Sequence, residues 1–262
     1  MWFKLNSLIL FLSLSFLSPH VLAKNDTHDA EHINVLFIGN SFTSWLQGSF
    51  DFFLRTTEAK GDFVIHSVGG GHLGLFINHD FEYAKAVSSA INSKAWDYVV
   101  LQDRSVAVGR GDEWDDSFKN AVSELSDQIR AVGAEPVLYM TWGRDNTREY
   151  ENFEDMTAKI SKGYNDAGRR HNITVAPVGE VWYEVRKANE ILGKELYADA
   201  NGHPTVKGQI LITGVFFKLF FGDSLNWSEE VSEVFNESEW KLVKQKIEER
   251  VSMISSNAKS HK

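Results

Sequence analysis

Five short apolar runs, each followed by a longer amphipathic stretch, constrain the fold of this chain more than any other feature. The runs are rich in β-branched residues and lie at 33–38, 63–68, 97–102, 136–141 and 173–178. Apolar residues recur at helical spacing in the stretches 45–60, 80–94, 113–132 and 152–171. Alternation of strand and helix predicts parallel strands with helices on both faces of the sheet. We therefore expect a three-layer α/β/α fold around a central, mainly parallel five-stranded sheet.

The last third of the chain continues with helices alone. The pattern predicts a helix near 181–192, a loop at 193–203, a strongly apolar helix at 205–220 and a charged amphipathic helix near 228–256. There is no internal repeat and no linker-like composition. Residues 24–262 are therefore predicted to form a single domain.

The first 23 residues have the pattern of a secretory signal peptide. Lys4 supplies a positive start, residues 5–17 are mainly apolar, and Val21-Leu22-Ala23 has the small-residue spacing of a cleavage site. The apolar run is short and contains serines, so it is a poor membrane span. We expect export to the periplasm or the cell exterior, with no stable membrane insertion once residues 1–23 are removed.

Composition excludes several classes of protein. The net charge of −9 argues against nucleic acid as a partner. The chain has no cysteine, which excludes a disulfide framework. Eight Trp and 18 Phe are many for this length. They are expected mainly in the core, and the alternative is that some form aromatic platforms for sugar rings.

Polar and glycine residues follow four consecutive predicted strands. They are Ser41, the glycines 69–71, Gln102, and the pair Trp142 and Arg144. The carboxyl ends of parallel strands lie at one edge of a sheet, so these residues should converge there. Acyl transfer needs a nucleophile, a base and donors for the oxyanion. Ser41 can be the nucleophile, although a serine in this place can also be a helix N-cap.

Two of these residues are expected to line the substrate cleft. Trp142 and Arg144 follow the fourth strand, where a cleft would lie. Arg144 could bind a carboxylate of the substrate, and a salt bridge to Asp103 or Asp145 is an equal alternative.

Four sequence blocks together resemble the SGNH hydrolase superfamily, also called GDSL-like esterases. The blocks are Gly39-Asn40-Ser41-Phe42-Thr43, Gly70 with Leu73 behind it, Val100-Leu101-Gln102, and Gly202-His203-Pro204. The first block resembles the branch of the superfamily in which this block has the sequence GNSFT. The resemblance implies a flavodoxin-like fold, Ser41 as the nucleophile and His203 as its base. It also implies that Gly70 and Gln102 hold the oxyanion, with Gly69 and Gly71 as alternatives to Gly70.

The acid that orients the histidine departs from the family pattern. The family has an aspartate three residues before its histidine, and that position is Ala200 here. Asp199 lies four residues before His203 and could reach it if the loop makes an extra turn. Otherwise Ser41 and His203 would act as a dyad.

Two further motifs are weak. Gly222-Asp223-Ser224-Leu225 spells the family's alternative name, but it follows an apolar helix, so Gly222 is expected to be a helix C-cap. The glycines of Gly69-x-Gly71-x-x-Gly74 match a dinucleotide fingerprint without the acidic residue it requires. The histidines lack the spacing of a zinc site. We therefore expect neither a metal nor an organic cofactor.

These observations predict an exported serine esterase. Its partner would be a small-molecule or polysaccharide ester, most simply an O-acetylated carbohydrate. The alternatives within hydrolases are a lipid or aryl esterase and a thioesterase. The alternative from another class is a non-catalytic carbohydrate-binding protein on the same fold.

Overall fold

A computed structural model describes residues 32–147, 149–222 and 229–260, with side chains up to residue 254. The predicted signal peptide at 1–23 and Ser224 lie outside the described residues. One sheet holds five strands in the order β2-β1-β3-β4-β5, and every neighbouring pair is parallel. The strands are β1 (His32–Gly39), β2 (Lys60–Ser67), β3 (Tyr98–Leu101), β4 (Glu135–Tyr139) and β5 (Thr174–Ala176). The prediction of a parallel five-stranded sheet is confirmed.

Helices connect the strands and close the chain. They are α1 (Ser41–Ser44), α2 (Gln47–Thr56), α3 (Leu73–Ile77), α4 (Glu82–Ile91), α5 (Glu113–Ala131), α6 (Phe153–His171), α7 (Val178–Ala188), α8 (Glu190–Glu195), α9 (Val206–Phe221), α10 (Glu229–Ser232) and α11 (Glu237–Ser260). None of the helices in the described ranges combines the length and the apolar character needed to cross a membrane.

Alternating side chains of the strands feed two hydrophobic cores, one on each face of the sheet. In β1, Val35 and Phe37 enter the core shared with α2, α7, α9 and α11. Leu36 and Ile38 enter the core shared with α3 to α6. All four side chains are fully buried, as expected for a parallel strand covered on both faces. The three-layer arrangement follows from this alternation.

Several element boundaries differ from the predictions. The helix expected over 45–60 ends at Thr56, and the polar residues from Lys60 onwards already pair with β1. The helix expected over 181–192 is two helices that meet at Asn189, whose Oδ1 accepts a hydrogen bond from the N–H of Leu192. Part of the expected loop at 193–203 is therefore helical. The charged helix expected over 228–256 is divided into α10 and α11.

The chain changes direction along the sheet between β1 and β3. From β1 it moves outward to β2, and it then returns to β3 on the other side. A crevice forms at the carboxyl ends of the strands where the order reverses in this way, and such crevices bind ligands in open α/β sheets. Ser41 lies at this point, two residues after the end of β1.

Candidate active site

The turn after β1 presents Ser41 at the carboxyl edge of the sheet. Asn40 is the N-cap of α1, and its Oδ1 accepts a hydrogen bond from the N–H of Phe42 at 3.0 Å. Its Nδ2 donates to the carbonyl of Gly71 at 3.0 Å, which ties the turn to the loop after β2. Because Asn40 caps the helix, the capping role considered for Ser41 belongs to its neighbour. The Ser41 hydroxyl therefore does not cap the helix.

The structure brings Ser41, His203 and Asp199 into one chain of hydrogen bonds. The Oγ of Ser41 lies 2.9 Å from Nε2 of His203, and Nδ1 of the same ring lies 2.7 Å from Oδ2 of Asp199. An ionised carboxylate only accepts hydrogen bonds, so Nδ1 carries the proton. Nε2 then has a lone pair that accepts the hydrogen bond of the Ser41 hydroxyl.

The loop before α9 holds the acid and the histidine together. Oδ1 of Asp199 accepts hydrogen bonds from the N–H groups of Asn201 at 2.8 Å and His203 at 3.2 Å. Gly202 has a φ of +91°, and its N–H donates to the carbonyl of Asp199 at 3.1 Å. This is the extra turn that lets an acid four residues away reach the ring. Burial raises the pKa of Asp199, but hydrogen bonds from His203 and Asn201 outweigh it and leave the pKa below its ordinary value.

Two backbone N–H groups beside Ser41 are available to a ligand. Neither the N–H of Ser41 nor that of Gly70 has a hydrogen-bond partner among the described residues. Ser41 is the first residue of α1, where a helical amide has no partner within the helix. Gly70 has a φ of +68°, and both residues line the same pocket. The two amides can hold an oxyanion next to the Ser41 hydroxyl.

Gln102 does not line this pocket, which corrects the expectation that its amide lies in the oxyanion site. Its side chain is 1% exposed, and Oε1 accepts hydrogen bonds from the N–H of Asn40 at 3.0 Å and the hydroxyl of Thr43 at 2.8 Å. Because a backbone N–H only donates, this sets the orientation of the amide. Nε2 donates to the carbonyl of Asp103 at 2.5 Å. Gln102 therefore supports the turn that carries Ser41.

Trp142 lies beneath the site and does not face the cleft, contrary to the sequence-based expectation. Its side chain is buried between the rings of Phe42 and Trp182, with ring centroids 4.8 Å and 4.2 Å away. Its Nε1 donates to the carbonyl of Gly202 at 3.1 Å. Trp142 thus supports the histidine loop from the core side.

Arg144 lines the pocket, but its hydrogen bonds go to the protein. Its Nη1 donates to the Oγ of Ser105 at 3.1 Å and the carbonyl of Asn201 at 2.6 Å, and its Nε donates to the carbonyl of Asn146. The side chain is buried. Asp145, one of its two suggested partners, pairs with Arg186 instead. Arg144 therefore joins the loops after β3 and β4 to the histidine loop.

Trp45 is a site residue that sequence reasoning missed. Its indole stacks on the imidazole of His203, with centroids 5.2 Å apart and planes at 16°. Phe42 contacts the same imidazole edge-on at 5.4 Å. Trp45 is 44% exposed, so one face of the site is an open aromatic surface. The sequence does contain a sign of this contact: Trp45 lies four residues after Ser41, and residues four apart share a helix face.

The pocket around Ser41 has a volume of about 220 Å³, and seven of its ten lining residues carry polar side chains. Phe42 and Val106 are the two large apolar residues in its lining. Ser105 and Asn201 also line it, and neither was singled out from the sequence. Within the described parts of the chain, no group of three or more His, Asp or Glu side chains could hold a metal ion.

Solved structures with a similar fold include SGNH hydrolases. A Slackia heliotrinireducens protein assigned to the SGNH hydrolases is 24% identical over 71% of this chain and 97% of its own, with a TM-score of 0.58. A protein of the DUF4886 family from Bacteroides uniformis is 17% identical over 84% and 95%, with a TM-score of 0.68. A variant of an acetyl xylan esterase from Geobacillus stearothermophilus is 13% identical over 75% and 97%, with a TM-score of 0.53.

The fold is SGNH-like. All three identities are below 25%, so the likeness is one of architecture and does not by itself assign an activity. The sequence matches no family model and none of the curated proteins. The function must therefore be argued from the geometry of the site.

Proposed function

We propose that this protein is an exported serine esterase that hydrolyses carboxylic esters. The observation that carries the proposal is the chain of hydrogen bonds from Ser41 through His203 to Asp199, beside two backbone amides that no described residue accepts from. The departure from the family spacing before His203 is an argument for a non-catalytic protein on the same fold. That argument loses its force because Asp199 is within hydrogen-bond distance of the ring.

In the proposed mechanism, Ser41 attacks the ester carbonyl carbon while Nε2 of His203 takes the hydroxyl proton. The N–H groups of Ser41 and Gly70 stabilise the oxyanion that forms. His203 then returns the proton to the leaving alcohol oxygen, and the acyl group stays on Ser41. Water, deprotonated by the same ring, attacks the acyl-serine, and the ring then gives that proton to the Oγ of Ser41 as the acid leaves. Asp199 holds the tautomer and stabilises the imidazolium in both halves of the reaction.

We propose acetyl esters of carbohydrates as the substrates. A groove for long acyl chains would be long and lined by apolar side chains, whereas this pocket is small, about 220 Å³, and only Phe42 and Val106 in its lining are large and apolar. The exposed indole of Trp45 offers a flat apolar face of the kind that sugar rings can stack on. Two solved structures with a similar fold are those of acetyl xylan esterases, which agrees with this choice. Export rests on the predicted signal peptide at 1–23.

The first experiment is hydrolysis of p-nitrophenyl acetate by residues 24–262. Ser41→Ala should lower kcat/KM by roughly 10³-fold or more without loss of fold, as in other serine hydrolases. Ser93→Ala removes a surface hydroxyl at the end of α4 and serves as the control that keeps activity. Full activity in Ser41→Ala would rule out Ser41 as the nucleophile.

A chain-length series and an acetylated polymer test the substrate. Initial rates with p-nitrophenyl esters should fall from acetate to octanoate, and acetylated xylan should release acetate. A preference for long acyl chains would replace the acetyl proposal with a lipid esterase. Export is tested separately: the mature protein found outside the cytoplasm should begin at Lys24.

A further inference from the structure

A second arginine lies beside Ser41, and its guanidinium donates no hydrogen bond to any of the described residues. Arg104 lies three residues after the end of β3, is half-buried, and lines the same pocket as Ser41. Its guanidinium makes no hydrogen bond and no ion pair with any of the described residues. A half-buried guanidinium with five unused N–H donors is well suited to bind an anion that enters the pocket.

The guanidinium of Arg104 lies over the ring of Trp114. The Cζ of Arg104 lies 5.4 Å from the centroid of the Trp114 ring, within the range of a cation–π contact. His72 packs edge-on against the same indole at 5.1 Å. Burial, and then the charge of Arg104, lower the pKa of His72, so its imidazole is neutral at pH 7. The positive charge on this wall is therefore that of Arg104.

The pocket has a positive lining within an acidic protein. The net charge of the chain is −9, yet the residues that line the pocket include two arginines and no carboxylate, with Asp199 lying behind the ring of His203. Arg144 donates hydrogen bonds to Ser105 and to backbone carbonyls, and these contacts hold its guanidinium in place. The acid nearest to Arg104 in sequence is Asp103, which is 1% exposed. Burial raises the pKa of Asp103 to about 7, so at neutral pH it offsets the charge of Arg104 only in part.

We propose that Arg104 binds a carboxylate on the alcohol side of the ester, which makes the enzyme selective for acetylated acidic substrates such as uronic acid sugars. The inference rests on the proposed esterase function. An acetyl group carries no charge, so the carboxylate must belong to the alcohol. Guanidinium and carboxylate match in a planar pair of parallel hydrogen bonds, which makes Arg104 a determinant of specificity.

The test compares two acetyl esters, one with a free carboxylate and one in which that carboxylate is methylated and uncharged. The substrates are 3-acetoxybenzoate and its methyl ester, which share the acetyl group and the position of the ester on the ring. Wild type should prefer the charged ester, and Arg104→Gln should lower the ratio of the two kcat/KM values by about tenfold or more. The loss should appear mainly in KM, as expected when uniform binding is removed. Arg104→Lys keeps the charge but not the planar guanidinium with its paired N–H donors. Its ratio of the two kcat/KM values should lie between those of wild type and Arg104→Gln.

Arg55→Gln is the matched control. It makes the same change of charge on the exposed surface near the end of α2, away from the carboxyl edge of the sheet. Both esters should be hydrolysed by this variant as by wild type. A ratio that is unchanged in Arg104→Gln, or a wild-type preference for the methyl ester, would overturn the inference.

A binding measurement separates failure of the inference from failure of the proposed function. Calorimetry would compare 3-acetoxybenzoate binding to Ser41→Ala with binding to the double variant that also carries Arg104→Gln. Binding that depends on Arg104 would support the anion site even if no ester is hydrolysed. Hydrolysis that depends on Ser41, without any dependence on Arg104 in rate or binding, would keep the esterase and remove the carboxylate site.

Discussion

Asp199 contacts His203 through both of its carboxylate oxygens. Oδ2 lies 2.7 Å from Nδ1, and Oδ1 accepts a hydrogen bond from the backbone N–H of the same residue at 3.2 Å. The acid therefore holds both the ring and the loop that carries it. This pair decides whether the site works as a triad or a dyad.

Asp199→Asn should lower kcat of p-nitrophenyl acetate hydrolysis by roughly 10²- to 10⁴-fold, because an amide at this position favours the wrong tautomer of the histidine. Ala200→Ser, one residue along the same loop, is the control and should change kcat little. Circular dichroism would show that both variants fold. Equal and small effects of the two substitutions would favour a Ser41–His203 dyad.

Gly70→Ala should lower kcat by roughly 10- to 100-fold by displacing an oxyanion donor. Gly133→Ala is a matched control, since both glycines have a positive φ, +68° and +84°, and an added Cβ would meet no atom within 4 Å at either. Both substitutions should cost about 1–2 kcal/mol of stability for the left-handed backbone. Gly133 precedes β4, at the opposite edge of the sheet, so its variant should keep kcat. Equal kcat values for the two variants would exclude Gly70 from the site.

Gln102→Ala should act mainly on stability. The substitution leaves the buried N–H of Asn40 and the carbonyl of Asp103 without partners, which costs roughly 2–4 kcal/mol of the free energy of unfolding. Urea denaturation should show the loss as a lower midpoint. An unchanged midpoint together with a kcat about 10²-fold lower would instead place the Gln102 amide in the oxyanion site.

Asp103→Asn should change how stability depends on pH. Burial raises the pKa of Asp103 from 3.8 to about 7, so the unfolded chain loses this proton at lower pH than the folded protein does. The free energy of unfolding should therefore fall as pH rises through this window, by roughly 2–3 kcal/mol between pH 5 and pH 8. Urea unfolding at the two pH values should show a smaller difference for Asp103→Asn. The same difference in both proteins would contradict the burial effect.

Trp45→Leu should raise KM for an acetylated xylo-oligosaccharide relative to KM for p-nitrophenyl acetate. The aromatic face that stacks on a sugar is worth about 1 kcal/mol, so the ratio of the two KM values should change about fivefold. Trp45→Phe keeps an aromatic ring and should fall between wild type and Trp45→Leu. If all three proteins give the same ratio, Trp45 does not contact the sugar.

The fold could be predicted from the sequence because the strands are buried on both faces. Such strands are continuous apolar runs, and β1 shows this in Val35-Leu36-Phe37-Ile38. Short elements gave no such signal. The helices α1 and α3 have four and five residues, too few for an apolar period to be visible. The edge strand β2 begins with the polar residues Lys60 to Asp62, so the apolar pattern predicts its start too late, at Phe63.

The site was predictable in position but not in the direction of its side chains. Topology brings the residues after β1, β2 and β3 to one edge, so the sequence located Ser41, Gly70 and Gln102 there. It did not show that the Gln102 amide turns inward to Thr43, because that depends on tertiary contacts. The inward position of the Gln102 amide also requires a glycine at position 39, because a Cβ there would lie 2.5 Å from Oε1 of Gln102. Trp142 likewise turns toward the core because Trp182 offers a parallel ring.

Ser41 and His203 are 162 residues apart in the chain, and this separation has a consequence for how activity appears during folding. The serine is placed by β1, whereas the histidine is placed only when α9 packs on that strand, as in the contact of Phe37 with Phe216. Contacts so distant in sequence are costly to close and form slowly. During synthesis, the nascent chain has its nucleophile long before its base. In refolding, the return of esterase turnover should therefore mark the docking of α9. The rate at which activity returns would then measure the rate of that step.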